Sequence, residues 1–266
     1  MSEITAKTII TKSKLPEVDY CFNPYIGCTH RCAYCYARFM SRFTGHTNEK
    51  WGTYLDWKIN APELLREEAS RIKKKGGVVI LGSVTDCYQP IESKLELTRK
   101  CLEVFLEYQI PISILTKSSL VERDFDLLSQ LKYCEIGISL SILNKEQQKA
   151  LEPGASSPME RIRVLKRAFD LGLNTYAFIG PIHPFLGETE KVIREVCPYV
   201  NFIMGEIPNL RCGNWKDFSQ TLKELKINPV DYRKVAESDE FYKKADGLLK
   251  KLCEECSVEY RGTFKH

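Results

Sequence analysis

No apolar run in this 266-residue chain approaches the ~20 residues that a membrane-spanning helix needs, which excludes a helical membrane protein. The first fourteen residues are polar and lack the apolar stretch of a secretory signal, so a cytoplasmic location is expected. Charge of one sign is scarce in excess. Lys+Arg number 39 against 35 Asp+Glu, and a net +4 gives only weak support for a nucleic-acid partner. No internal repeat, low-complexity tract or Gly/Ser linker divides the sequence. With 43% hydrophobic and 28% charged residues, the composition is that of an ordinary globular chain able to bury a substantial core.

What the sequence has in quantity is cysteine, at positions 21, 28, 32, 35, 87, 101, 134, 197, 212, 253 and 256. An odd count of eleven, without an export signal, argues against a disulfide framework and for reduced thiols. Cys28, Cys32 and Cys35 fall within eight residues, which makes a metal site the first hypothesis.

Short apolar runs alternate with helical patterns. Strands are expected at 20–22, 78–81, 112–115, 135–140, 174–179 and 200–204, and helices at 35–43, 62–75, 95–108, 121–131, 159–171 and 188–197. Pro62 suits a first helical turn and Gly76-Gly77 a stop. This alternation implies right-handed βαβ units and a parallel sheet. Six units are too few for the usual eight-stranded closed barrel, so an open or partial α/β barrel, (β/α)6, is expected. From about Gly205 the pattern turns irregular and ends in a charged helix near 237–255. We therefore expect an N-terminal arm at 1–16, a core at 17–210 and a C-terminal extension at 211–266.

In such a fold, functional groups belong on the loops after strand C-termini. The unusual residues lie there: the three cysteines after the first strand, 83–87 after the second, Thr116-Lys117 after the third, Ser139 and Ser141 at the fourth, and 181–184 after the fifth. The segment Asn23-Pro-Tyr-Ile-Gly-Cys28-Thr-His-Arg-Cys32-Ala-Tyr-Cys35-Tyr-Ala-Arg38 puts three thiols on one compact loop. Three thiolates can hold three corners of an iron–sulfur cube and leave the fourth iron for another ligand. Zinc completed by His30 or a distant cysteine is the competing metal site, and three buried structural cysteines are the plain alternative.

The Cys-x3-Cys-x2-Cys spacing, with Tyr34 before the last cysteine, resembles the radical S-adenosylmethionine (SAM) superfamily. The flanks of that motif are similar to a subgroup typified by spore photoproduct lyase. So are Ser83-x-Thr85-Asp86-x-Tyr-Gln-Pro90, Leu115-Thr-Lys117-Ser118, Ile138-Ser139-Leu-Ser, Glu152-Pro-Gly154 with Pro158-x-x-Arg161, and Pro181-x-x-Pro184. The resemblance spans roughly residues 17–210 and implies a partial six-stranded barrel. It implies a [4Fe–4S] cluster on Cys28, Cys32 and Cys35 whose fourth iron binds SAM. Reductive cleavage of SAM would then give a 5′-deoxyadenosyl radical. It also implies a reductant such as a flavodoxin or ferredoxin, and a substrate that is a DNA lesion, a peptide or a small metabolite. The rival class is a non-catalytic zinc or iron–sulfur protein that binds nucleic acid.

By the same resemblance Tyr34 and Tyr36 would line the adenosine side, with core packing as the alternative. Ser83, Thr85 and Asp86 fall where the family contacts SAM, although Asp86 also suits a helix cap. Lys117 is placed to meet a carboxylate, and Ser139 matches a ribose-contacting position. Arg161 would reach the SAM carboxylate or pair internally with Glu152. The subgroup's hydrogen-donating cysteine aligns with Ser83. Cys87 on the same loop is a candidate replacement, against the simpler reading of a small buried thiol. Cys253-Glu-Glu-Cys256, with Cys212 and Cys197, is a candidate second metal site. His46 and His183 lack ligand-spaced partners.

Overall fold

A computed structural model of the chain describes residues 1–186 and 188–265. Its main sheet has eight strands: β1 (Ile10–Lys12), β2 (Tyr20–Phe22), β3 (Val79–Leu81), β4 (Ile112–Thr116), β5 (Cys134–Ser139), β6 (Asn174–Ile179), β7 (Phe202–Glu206) and β8 (Glu259–Phe264). They lie in the order β8-β7-β6-β5-β4-β3-β2-β1. Every neighbouring pair is parallel except β1 with β2. The six expected strands are β2 to β7, adjacent and in sequence order, so the α/β class and the partial-barrel core stand as expected.

Local signals explain the crossovers. Helix Ala61–Lys75 carries a proline in its first turn and stops at Gly76, whose φ of 73° suits a residue without a Cβ. Helix Pro158–Asp170 begins with a capping box between Ser157 and Glu160. Strand residues alternate between two buried faces. Val79, Ile112, Ile114, Ile136, Ile138, Ala177, Ile179 and Ile203 join the apolar core under the helices. Their alternates Ile80, Ser113, Leu115, Glu135, Tyr176, Phe178, Phe202, Met204 and Glu206 line a lumen. Burial on both faces is why these strands read as continuous apolar runs.

The structure corrects the expected ends of the chain. Instead of an irregular tail with one helix, three helices follow β7, at Trp215–Glu224, Pro229–Ala236 and Asp239–Cys256. β8 then returns parallel to β7. β8 is an edge strand of mostly half-buried residues, without the apolar run that identified the others. The N-terminal residues are also paired. Ser2–Ile4 joins Asp56–Lys58 and Tyr25–Ile26 in a small second sheet beside the cysteine loop. The helix expected over 121–131 is a 3-10 turn, Ser119–Asp124, followed by a short helix, Phe125–Leu128. The buried Asp124 carboxylate there is held by Arg99 and Arg123, each at 2.8 Å.

Gly137 faces Tyr176 across β5 and β6, and a methyl group at Gly137 would enter that ring. Tyr176 in turn stacks on Phe202 with centroids 4.7 Å apart. Gly137→Ala is expected to lower stability by about 1–3 kcal/mol, as overpacking does. Denaturant unfolding checks this, and wild-type stability would mean that the Tyr176 ring yields freely.

Candidate active site

The cysteine loop leaves β2 at Phe22 and is fixed residue by residue. Asn23 donates to Ser83 Oγ at 3.0 Å and accepts from Val84 N at 3.2 Å. Gly27 takes a φ of 84° and lies so close to the Tyr54 carbonyl that a Cβ would sit 2.5 Å from it. Thr85 Oγ1 donates to the Gly27 carbonyl at 2.5 Å, and Thr29 N donates to Gln89 Oε1 at 2.9 Å. On the other side Ala33 N donates to Leu151 O at 2.8 Å and Gly154 N to His30 O at 3.0 Å. A side chain at Gly154 would strike the Thr29 backbone.

The Asp86 carboxylate is filled on both oxygens. Oδ1 accepts from Thr116 Oγ1 at 2.7 Å and from Tyr88 N at 2.8 Å. Oδ2 accepts from Lys117 N at 2.9 Å and lies 3.3 Å from His30 Nδ1. Burial alone would raise its pKa. The neighbouring His30 and these hydrogen bonds outweigh that and bring it down to about 2. Asp86 therefore binds the cysteine loop to the ends of β3 and β4.

A cavity of about 140 Å³ opens where these loops meet. Its walls include Cys28, Cys32, Cys35, Tyr34, Tyr36, Ser83, Thr85, Asp86, Lys117 and Ser139. Arg161 and Cys87 are not among its wall residues. The Arg161 guanidinium is fully buried and donates to Ser139 O at 2.7 Å, Ser156 O at 3.0 Å and Glu152 Oε2 at 2.5 Å. Cys87 packs in the main apolar core. The other cysteines are likewise dispersed. Cys253 is in the core, Cys256 is within hydrogen-bonding reach of Cys197, and Cys212 lines a surface pocket with Arg38 and Trp51.

Glu152 organises a second buried network. It accepts from the Tyr34 hydroxyl and from Arg161, and Lys117 Nζ lies 4.0 Å away. Burial opposes its charge, but Arg161 and Lys117 hold it below the usual carboxylate range. Lys117 Nζ donates to Ser139 Oγ at 2.6 Å and lies 5.8 Å from the Tyr34 ring centre. The Tyr36 hydroxyl donates to the Ser83 carbonyl. His183 Nδ1 lies 2.5 Å from the Tyr232 hydroxyl, and burial lowers its pKa to about 3, so the ring stays neutral. His46 pairs with Glu49 and Asp56.

All three loop thiols are free. Burial pushes Cys28 and Cys32 up, and takes Cys35 to about 11 despite nearby Lys117 and Arg38. Such thiols are protonated at neutral pH and become thiolates when a metal displaces the protons. Among the described residues no three His, Cys, Asp or Glu groups converge on a point that would take one metal ion. Three thiols that line one cavity would suit three corners of a cluster.

The family profile of the radical SAM superfamily matches residues 22–197. This chain belongs to the radical SAM superfamily. It is a radical SAM enzyme, and membership implies SAM and a [4Fe–4S] cluster as its cofactors. An uncharacterized protein of Methanocaldococcus jannaschii is 35% identical over 247 residues, covering 93% of this chain and 91% of that one. A radical SAM Nα-GlyT isomerase of Pseudomonas phage M6 is 31% identical over 165 residues, covering 60% of this chain and 32% of the phage protein. Among solved structures, spore photoproduct lyase complexed with dinucleoside spore photoproduct superposes with a TM-score of 0.76. That match covers 98% of this chain and 82% of the lyase at 15% identity, a likeness of fold.

Sequence reasoning passed over Trp51, Phe178 and Glu206, which also line the cavity. The two-residue alternation of β6 and β7 would have placed Phe178 and Glu206 on the inner face. Trp51, in an irregular loop, has no such signal.

Arg161→Ala is expected to cost about 3–5 kcal/mol in denaturant unfolding, because it leaves Glu152 buried without its partner. A SAM-binding defect with unchanged stability would instead place Arg161 in the cofactor site.

Proposed function

We propose that this enzyme acts on a nucleobase-bearing substrate held in the barrel lumen, with the cluster on Cys28, Cys32 and Cys35 and SAM beside Lys117 and Ser139. One observation carries the reading. The lumen cavity, about 340 Å³, shares Tyr36, Gly82, Ser83, Leu115, Phe178 and Glu206 with the cysteine cavity. A substrate in one would therefore adjoin a cofactor in the other. When bound, cluster and SAM together supply a one-electron cleavage that yields a 5′-deoxyadenosyl radical.

The chain's own residues position and shield. Lys117, held by Ser139, presents a cation to the cavity and suits a carboxylate. Tyr36, fixed by the Ser83 carbonyl, stands between the two cavities. Tyr176, Phe178, Phe202 and Phe264 line the lumen with aromatic rings that suit a base and exclude water. Glu17, Glu135 and Glu206 also line the lumen, with Lys265 as its one basic wall residue among those described. Such a wall suits a base and leaves phosphates outside. The solved lyase holds a dinucleoside photoproduct, which supports this substrate class.

Among the described residues, no cysteine other than the three of the loop lines either cavity. The reading is therefore a rearrangement, with the hydrogen taken from the substrate and returned to it, over a net reduction that draws on a protein thiol. The relative named an isomerase is consistent with that preference.

The test is anaerobic incubation of reconstituted enzyme with SAM, a reductant and base-deuterated thymine dinucleotides carrying photoproducts or modified bases. Deuterium is expected in recovered 5′-deoxyadenosine or SAM. Label passing only from peptides would overturn the substrate assignment. Cys32→Ala should lose the cluster iron, and full iron retention would refute the ligand set. Lys117→Ala should keep its iron yet bind SAM more weakly by about 1.5–3 kcal/mol in calorimetry. Unchanged affinity would remove Lys117 from the SAM site.

A further inference from the structure

Trp51 stands where the cysteine loop meets the surface. The chain reaches it through a turn in which Thr53 N donates to Lys50 O at 3.1 Å. Gly52, at a φ of 86°, lies so close to the Arg31 side chain that a Cβ would overlap it. Arg31 sits between Cys28 and Cys32, so this close approach ties the turn to the loop that carries the thiols. The Trp51 side chain is buried in one apolar cluster with Cys28, Cys35, Tyr36 and Tyr54. It meets the Tyr54 ring edge-on with centroids 5.9 Å apart, and Tyr54 is stacked on His46 at 4.1 Å. Packing thus fixes the indole on the wall of the cavity that the three loop cysteines line.

Apolar packing does not account for its nitrogen. Trp51 Nε1 is buried and has no hydrogen-bond partner. An indole N–H can only donate, and a buried donor left unpaired costs the full desolvation of that group. Arg38 Nε and the Tyr54 hydroxyl, which share a surface pocket with Trp51, are buried without partners as well. This side of the loop therefore carries donors in want of an acceptor. The thiols beside it become strong acceptors once a metal displaces their protons. Backbone amides already donate to two of them, those of His30 and Asp86 to Cys28 and that of Ala37 to Cys35.

We propose that the Trp51 indole N–H donates a hydrogen bond to a sulfur of the cluster, on the side of Cys28 and Cys35, and thereby raises its reduction potential. Reduction adds one electron and one negative charge to the iron–sulfur core. A donor to sulfur stabilises the reduced state more than the oxidised one. No bond breaks, and the proton stays on the indole nitrogen. The inference rests on the ligand set proposed above and is independent of the substrate.

The test compares reconstituted wild-type enzyme with Trp51→Phe, both carrying nitrogen-15 in their tryptophan indoles. A redox titration and pulsed electron paramagnetic resonance of the reduced cluster, without SAM, are the readouts. The wild type should show a nitrogen-15 coupling to the cluster that the variant lacks. At a fixed potential the variant should be about tenfold less reduced, a midpoint about 59 mV more negative for one electron. Its iron content should match the wild type, whereas failure of the ligand set would show in Cys32→Ala keeping its iron. If Trp51→Phe does not hold a cluster, enzyme with benzothienylalanine at position 51, which keeps the bicyclic ring and lacks the N–H, carries the same readouts. An unchanged midpoint, or no coupling to the wild-type indole, overturns the proposal. Weaker SAM binding at an unchanged midpoint overturns it too and assigns the N–H to SAM.

Discussion

The site depends on one buried carboxylate. Asp86 ends the short run after β3, and its two oxygens gather Thr116, Lys117 N, Tyr88 N and His30. A buried charge is costly unless it is paired and hydrogen-bonded, and here it is both. The consequence is geometric. The cysteine loop has little regular structure of its own, so its shape is borrowed from the ends of two parallel strands through this group. Glu152 repeats the device on the opposite side, joining Tyr34 of the loop to Arg161 of the following crossover helix. The two networks hold the loop from both flanks and leave its thiols facing a cavity.

Much of this was legible beforehand, and the reasons are physical. Strands buried on both faces declare themselves as apolar runs, so β2 to β7 were placed within about two residues, the usual uncertainty of element ends. The cysteine loop was legible because thiol density at that spacing has few uses. β8 was not. Glu259-Tyr-Arg-Gly-Thr-Phe264 is a half-buried edge whose pairing with β7 is decided by a crossover more than fifty residues long. Within the site, residue type gave position more readily than orientation. Lys117 and Ser139 reach the cavity, whereas Arg161, on the helix just beyond, turns its guanidinium to Glu152, and Cys87 turns its thiol into the core. One residue of helical or loop rotation decides such cases, and a sequence does not display it.

The protein also separates two kinds of surface. Inside, aromatic rings and carboxylates line a lumen continuous with the cysteine cavity. Outside, the short helix after Cys35 carries Phe39 and Phe43 beside a surface pocket that Trp51 also lines. The three cysteines line the cavity that shares walls with the lumen on one side and, through Trp51, with the surface pocket on the other.

The sheet is accordingly unequal in what it will tolerate. From β2 to β5 the strand ends are bound to one another by charged groups with several partners each, so a change at one propagates to the rest. From β6 to β8 the inner wall is built largely from stacked rings such as Tyr176 on Phe202 and Phe178 on Phe264, which respond chiefly to volume. A chain divided in this way can diversify one half while the other stays fixed. New specificities are to be sought at those inner-face residues of the last three strands that line the lumen and not the cysteine cavity, such as Tyr176, Phe202 and Met204.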